Sequence, residues 1–223
     1  MTEDILMNWL RMPLGIPEEL LSGDLSLYQQ AITHPDSLFK QLRTDIPWQP
    51  GYVQLYGKEH RIPRLQCWMA DAGIDYRYSG RQLNETPWQP DVQQLKNALN
   101  HALGTHFNSV LCNLYRNGQD RMGWHADNEP ELGKAPIIAS VTLGTSRDLA
   151  IRPAGATRQQ GTLQLDHGSL LIMQAGMQDR WQHAVPARKG VSGARINLTF
   201  RQIHADNGIT PSSATRPHSL RNH

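Results

Sequence analysis

The 223-residue chain has only two cysteines, Cys67 and Cys112. That excludes a disulfide framework and a four-cysteine zinc site. Both lie in strand-like runs and are expected as buried free thiols, which fits a reducing, cytoplasmic setting. No run approaches ~18 consecutive apolar residues, so no membrane-spanning helix is expected. A secretory signal is not expected either, because Glu3, Asp4, Asn8 and Arg11 interrupt the apolar residues of the N-terminus. Charge of one sign is not in excess. Lysine and arginine number 22, aspartate and glutamate 20, and the net charge is +2. Any contact with a polyanion must therefore come from a local patch rather than from the whole field. Internal repeats and domain linkers are also missing. What is present, 39% hydrophobic and 19% charged residues, is the composition of a soluble globular protein. A chain of this length can bury ~70% of its unfolded surface. A single monomeric domain is expected.

Punctuation divides the chain. Residues 1–23 carry Pro13, Gly15, Pro17 and Gly23 and read as an N-terminal extension. His34-Pro35-Asp36 reads as a helix start, with Leu38, Leu42 and Ile46 as its apolar stripe and Pro47 as its end. Strands are expected at 51–56, with a turn at Gly57, and then at 64–69 and 75–78. A second helix is predicted from Asp91 to Leu103, with Pro90 at its start and Gly104 at its end. Beyond it, strand-like runs follow at 108–115, 136–143, 147–152, 162–166, 169–174, 181–185 and 194–203. Short strands at this spacing suggest a β-sandwich or jelly roll. The fold class is mostly β with flanking helices. Residues 204–223 have little apolar content and are expected as a disordered tail.

Two clusters carry chemistry. In an extended segment His125 and Asp127 point to one face. With His183 from another strand they would give two histidines and one carboxylate, the facial triad of non-haem Fe(II) oxygenases. Taken singly, these residues serve ordinary structural roles just as well. The last strand places Arg195, Asn197, Thr199 and Arg201 on one face and Ile196, Leu198 and Phe200 on the other. The polar face is either the solvated side of a half-exposed strand or a clamp for a small dicarboxylate, which guanidinium groups bind through paired hydrogen bonds. Asn113 and Tyr115 share a face on the strand at 108–115.

Taken in order, Asn113-Leu114-Tyr115, then Gly123-Trp124-His125-Ala126-Asp127-Asn128-Glu129, then His183, then Arg195-Ile196-Asn197-Leu198-Thr199-Phe200-Arg201 resembles the AlkB family of nucleic-acid dealkylases. Pro63-Arg64 and Tyr76-Arg77-Tyr78-Ser79-Gly80 resemble that family's substrate-recognition lid, especially in its DNA-repair branch. The resemblance implies a double-stranded β-helix (jelly roll) over about 105–203 and a lid over about 50–82, within one domain at 24–203. It implies Fe(II) at His125, Asp127 and His183, with 2-oxoglutarate and O2 as co-substrates. Arg195 and Tyr115 would hold the distal carboxylate of 2-oxoglutarate. Arg201 and Asn113 would hold the end near the metal, and Asn197 would assist. Tyr78 would stack on the flipped base, Glu129 would contact its edge, and Tyr76 and Arg64 would belong to the lid. Leu55 and Tyr56, just before Gly57-Lys58, resemble a wedge that opens the base stack. Lys58, Arg61, Arg64, Arg77 and Arg81 would supply a basic patch for phosphates. The implied substrate is alkylated DNA, for example 1-methyladenine or 3-methylcytosine. RNA is the alternative. A non-catalytic jelly-roll module that holds some other anion is a third reading.

Overall fold

A computed structural model describes residues 10–11, 18–21, 23–55, 57–74, 77–78, 81–82 and 86–204. Two sheets face each other. The larger has eight strands in the order β1-β2-β12-β9-β14-β7-β4-β3. These are β1 (Glu18–Leu20), β2 (Leu25–Tyr28), β3 (Gln49–Leu55), β4 (Lys58–Ala70), β7 (Ser109–Tyr115), β9 (Ile138–Gly144), β12 (Ser169–Met173) and β14 (Arg195–Arg201). The smaller has the order β11-β10-β13-β8, made of β8 (Met122–His125), β10 (Arg147–Pro153), β11 (Gly161–Leu165) and β13 (Trp181–Val185). A two-stranded ribbon joins β5 (Arg77–Tyr78) to β6 (Arg81–Gln82). Every pairing within the two larger sheets is antiparallel. This is the jelly-roll arrangement expected from the strand spacing.

Among the described residues three α-helices complete the fold: α1 (Pro35–Asp45), α2 (Pro90–Leu103) and the single turn α3 (Met177–Arg180). Both long helices follow their sequence signals. Gln89 caps α2 by accepting from the Asp91 and Val92 amides at 2.8 and 2.9 Å. Gly104 closes α2 at φ +62°, a conformation that costs glycine nothing. Ile46 is extended ahead of Pro47, as the residue before a proline tends to be.

The two faces of the larger sheet do different work. Its outer face packs Val110, Cys112, Ile196, Leu198 and Phe200 against Leu38 and Leu42 of α1 and Leu95 and Leu99 of α2. Each fully buried side chain of this size contributes ~1.5–3 kcal/mol. Its inner face meets Leu149, Ile151, Leu163 and Val185 of the smaller sheet over part of its area. The rest of the inner face is polar.

Two features depart from the sequence-based expectation. The strand expected at 64–69 is one part of the 13-residue β4. Pro63 lies inside β4, where the β3–β4 register shifts between Pro50 and Tyr52. A proline that cannot donate to a ladder is tolerated at such an irregularity. Strands β1 and β2 were not foreseen, although β2 forms a full ladder with β12. Of the two readings of the polar face of β14, solvated side or clamp, burial favours the clamp: all seven residues of the strand are buried.

Candidate metal centre and anion pocket

The site lies between the sheets and is built by register. On β14, Arg195, Asn197 and Arg201 sit opposite Tyr115, Asn113 and Ser109 of β7. On the other side, Asn197 and Thr199 face Thr142 and Ser140 of β9. Pleating turns these residues inward while Ile196, Leu198 and Phe200 turn out to the helices. The smaller sheet contributes His125 and His183, which are direct cross-strand partners. One pocket is lined by Arg195, Asn197, Thr199 and Arg201 of β14, Asn113 and Tyr115 of β7, Ser140 of β9, and His125, His183 and Asp127.

At one end, single ligand atoms of His125, Asp127 and His183 lie within 4.8 Å of one another. The two rings are 4.2 Å apart between centroids, tilted by 56°. His125 Nδ1 donates to Gly123 O at 2.9 Å. That bond leaves Nε2 with its lone pair, 4.0 Å from Asp127 Oδ1. Burial drives the His183 imidazole down to about 3, and the neighbouring His125 ring adds to the effect. Burial also lowers His125, against the pull of the Asp127 carboxylate and of the hydrogen bond to Gly123 O. Burial alone would raise the Asp127 carboxyl; Arg201, His125 and His183 outweigh it and hold it at about 2. Two neutral imidazoles and one carboxylate at neutral pH are the deprotonated donors a divalent metal requires. The set fits iron, and it leaves coordination positions open.

Asp127 has two further ties. Arg201 Nη2 donates to its Oδ1 at 2.8 Å, with both side chains at most 4% exposed. Its backbone N–H donates to Gln178 Oε1 at 2.9 Å.

The other end of the pocket is built differently. Arg195 is 1% exposed. Its Nη2 donates to Thr142 Oγ1 at 2.9 Å. Among the described residues, its Nε and Nη1, and the Tyr115 hydroxyl, are buried without a partner in hydrogen-bonding geometry. Burial pushes the guanidinium down to about 10, against the pull of Tyr115. The Tyr115 ring centre is 5.2 Å from the Arg195 guanidinium and 5.7 Å from that of Arg147. Between the two ends, Asn197 Nδ2 donates to Ser140 Oγ at 2.8 Å and to Val141 O at 3.1 Å.

The lid residues are less concentrated. Leu55 ends β3 and pairs with Lys58 across the Gly57 turn, at φ +74°. Tyr78 lies on the two-residue strand β5. The side chains of Leu55, Tyr78, Arg77 and Arg81, and the whole of Tyr56 and Tyr76, lie outside the described residues. Glu129 is partly buried and leads into a 3-10 turn at Pro130–Leu132. Lys58 and Arg61 are exposed, but Arg64 is not part of a surface patch with them. It is 5% exposed and its Nε donates to Asn113 Oδ1 at 2.8 Å. The pleat of β4 turns it inward, toward the row that holds Asn113 on β7, and the pairing leaves Asn113 Nδ2 as a donor on the pocket wall.

Residues 26–201 match the model of the 2OG-Fe(II) oxygenase superfamily. The chain belongs to that superfamily. Within it, the chain is an AlkB homologue. It is 39% identical to the bovine "Alpha-ketoglutarate-dependent dioxygenase alkB homolog 3" over 77% of this chain and 62% of that protein. It is 38% identical to the mouse "DNA oxidative demethylase ALKBH2" over 75% of this chain and 74% of that protein. The chain thus spans less than two thirds of the length of the first of these relatives. The solved structure "The structure of OsALKBH1" shares the fold, with a TM-score of 0.59 at 18% identity over 82% of this chain and 100% of that one. Membership in the superfamily implies Fe(II), 2-oxoglutarate and O2 as the reaction partners.

Sequence reasoning missed three supports of this site: Arg64 behind Asn113, Gln178 behind Asp127, and the Ser140 and Thr142 hydroxyls behind Asn197 and Arg195. The last were legible as polar residues alternating with Val141 and Leu143. The first two were not, because their partners are distant in sequence.

Proposed function

We propose that the protein is an Fe(II)- and 2-oxoglutarate-dependent dioxygenase that oxidatively removes alkyl groups from base nitrogens of damaged DNA. The observation that carries this reading is the single pocket with a deprotonated His/Asp/His set at one end and a buried, under-partnered arginine at the other. A 2-oxoglutarate dianion presents one carboxylate to each end. His125, Asp127 and His183 would hold Fe(II). Arg195 and Tyr115 would clamp the distal carboxylate, Arg201 and Asn113 would line the end near the metal, and Asn197 would fix the wall between them. When bound, the iron supplies oxidation of the alkyl C–H bond by O2, coupled to conversion of 2-oxoglutarate to succinate and carbon dioxide. The hydroxylated alkyl group then leaves the base nitrogen as an aldehyde.

The remaining residues present the base. An alkylated base that pairs badly costs least to extrude. Tyr78 would stack on it, Glu129 would meet its edge, and Leu55 and Tyr56 would wedge the gap in a duplex. Tyr76 completes the lid, and Arg64 acts from the pocket side by holding Asn113. We assign residues 24–203 to one oxygenase domain, with the lid at about 50–82 and the jelly roll at about 105–203. We further assign a monomer working in the cytoplasm, supported by two free buried cysteines. Among the described residues no helix is long and apolar enough to cross a membrane.

The test is mass spectrometry of oligonucleotides bearing 1-methyladenine or 3-methylcytosine, as single- and double-stranded DNA and as RNA, with Fe(II), 2-oxoglutarate and ascorbate. Demethylated DNA formed in step with succinate is expected. Preference for RNA would move the reading to an RNA demethylase. Absence of iron-dependent succinate would leave only a binding module.

A further inference from the structure

We propose that Gln178 is a positioning residue for the carboxylate ligand of the metal centre, an inference that rests on the metal reading above. Asp127 lies in the irregular stretch between β8 and the 3-10 turn, where no strand ladder fixes its backbone. Its buried N–H is held by the side chain of Gln178, 2.9 Å away. Gln178 is 2% exposed. The far side of its amide is also occupied, because Nε2 donates to Met173 Sδ at 3.1 Å. Turning the amide over would set its NH2 against the Asp127 N–H, so the carbonyl end is the one directed at Asp127.

Gln178 itself stands on an anchored turn. The Gln174 amide donates to Asp24 O at 2.9 Å. Arg180 Nε and Trp181 Nε1 donate to the Asp24 carboxylate at 3.0 and 2.7 Å. β13 then starts at Trp181, directly after α3, and carries His183. One anchored segment therefore supplies one ligand and fixes the backbone of another. Arg201 also draws Asp127 Oδ1, at 2.8 Å. Gln178 holds the residue against that pull, so that the carboxylate stays at the spacing set by the two histidines.

A purely structural Gln178 would lower the stability of the metal-free protein and leave metal binding alone. The experiment is a titration of Co(II) into the full metal-free chain, followed by visible absorption, for the parent, Q178M, Q178N and D127A. Thermal midpoints are recorded without metal. Methionine removes the acceptor at similar length, and asparagine holds its carbonyl one methylene short. Both variants are expected to weaken Co(II) binding about tenfold or more, in the range found for partners that orient ligands, and to alter the Co(II) spectrum. Parent-like affinity and spectrum in either folded variant would overturn the inference. Should Q178M fail to fold, Q178N carries the test alone. A parent that binds no Co(II), or a D127A protein that binds it as tightly as the parent, would overturn the metal reading instead.

Discussion

The two ends of the pocket each bury an arginine, yet they treat it in opposite ways. At the metal end, Arg201 is paired with Asp127 inside the protein. At the far end, among the described residues, Arg195 meets a threonine hydroxyl and an aromatic ring but no carboxylate, and two of its nitrogens are left without hydrogen-bond partners. Buried charge is costly unless it is paired. The metal end is neutralised by folding alone. The far end keeps an uncompensated cation, which a small anion can neutralise. On the proposed reading, the contrast lets one pocket hold a metal and a dicarboxylate without their sites competing.

The comparison is broken most severely by D127A. On the proposed reading it removes the anionic donor to the metal, and it takes the Asp127 carboxylate away from the buried Arg201. Succinate formation is expected to fall by more than about a hundredfold, beyond the range for partners that merely orient ligands. Near-normal succinate at saturating iron would contradict the assignment.

Stability should separate the two arginines in the metal-free protein. R201M strands the Asp127 carboxylate, at a cost of about 3–5 kcal/mol, and the thermal midpoint should drop by roughly 10 °C or more. R195M exchanges an under-partnered cation for an apolar side chain, which is neutral or stabilising. Its midpoint should match or exceed the parent's. Equal losses in both variants would show that Arg195 has a partner of its own.

Acid should act on the metal end. The folded state holds the His183 imidazole at about 3, below its unfolded value of ~6.5. A depressed pKa stabilises fully above the unfolded value and loses its contribution as pH falls toward 3. Asp127, held at about 2 against ~3.9 unfolded, is lost in the same direction at lower pH. The metal-free protein should therefore lose thermal stability between pH 6.5 and 4, and H183F should flatten that slope. An unchanged slope in H183F would assign the acid sensitivity elsewhere.

The smallest effect on the pocket is expected from the lid. Y78A should weaken turnover of methylated oligonucleotide by the ~1–3 kcal/mol of one stacked base, while succinate formation without nucleic acid stays at the parent rate. A double L55A/Y56A variant should lose activity on methylated duplex and keep most of it on single strands. Losing both equally would show that the hairpin supports the fold rather than the duplex.

Much of the pocket was legible because strand periodicity is strict. Arg195, Asn197, Thr199 and Arg201 share a face in any extended strand, and so do Asn113 and Tyr115. Whether that face is wet or buried was not legible, since this depends on the smaller sheet covering it. Arg64 shows the same limit. Its charge suggests a surface patch, but its position in β4 turns it toward Asn113. Gln178 sits on a four-residue helix with no periodicity to read. β2 escaped because its ladder to β12 is a contact between distant parts of the chain, and the three-residue β1 pairs with β2.

The most direct test of the contrast between the two ends is calorimetric titration of 2-oxoglutarate into Mn(II)-loaded protein, parent against R195M. Loss of the charge-assisted hydrogen bonds should cost ~1.5–3 kcal/mol, or roughly tenfold to a hundredfold in affinity, with Mn(II) binding unchanged. Equal 2-oxoglutarate affinity in the two proteins would contradict an anion site at Arg195.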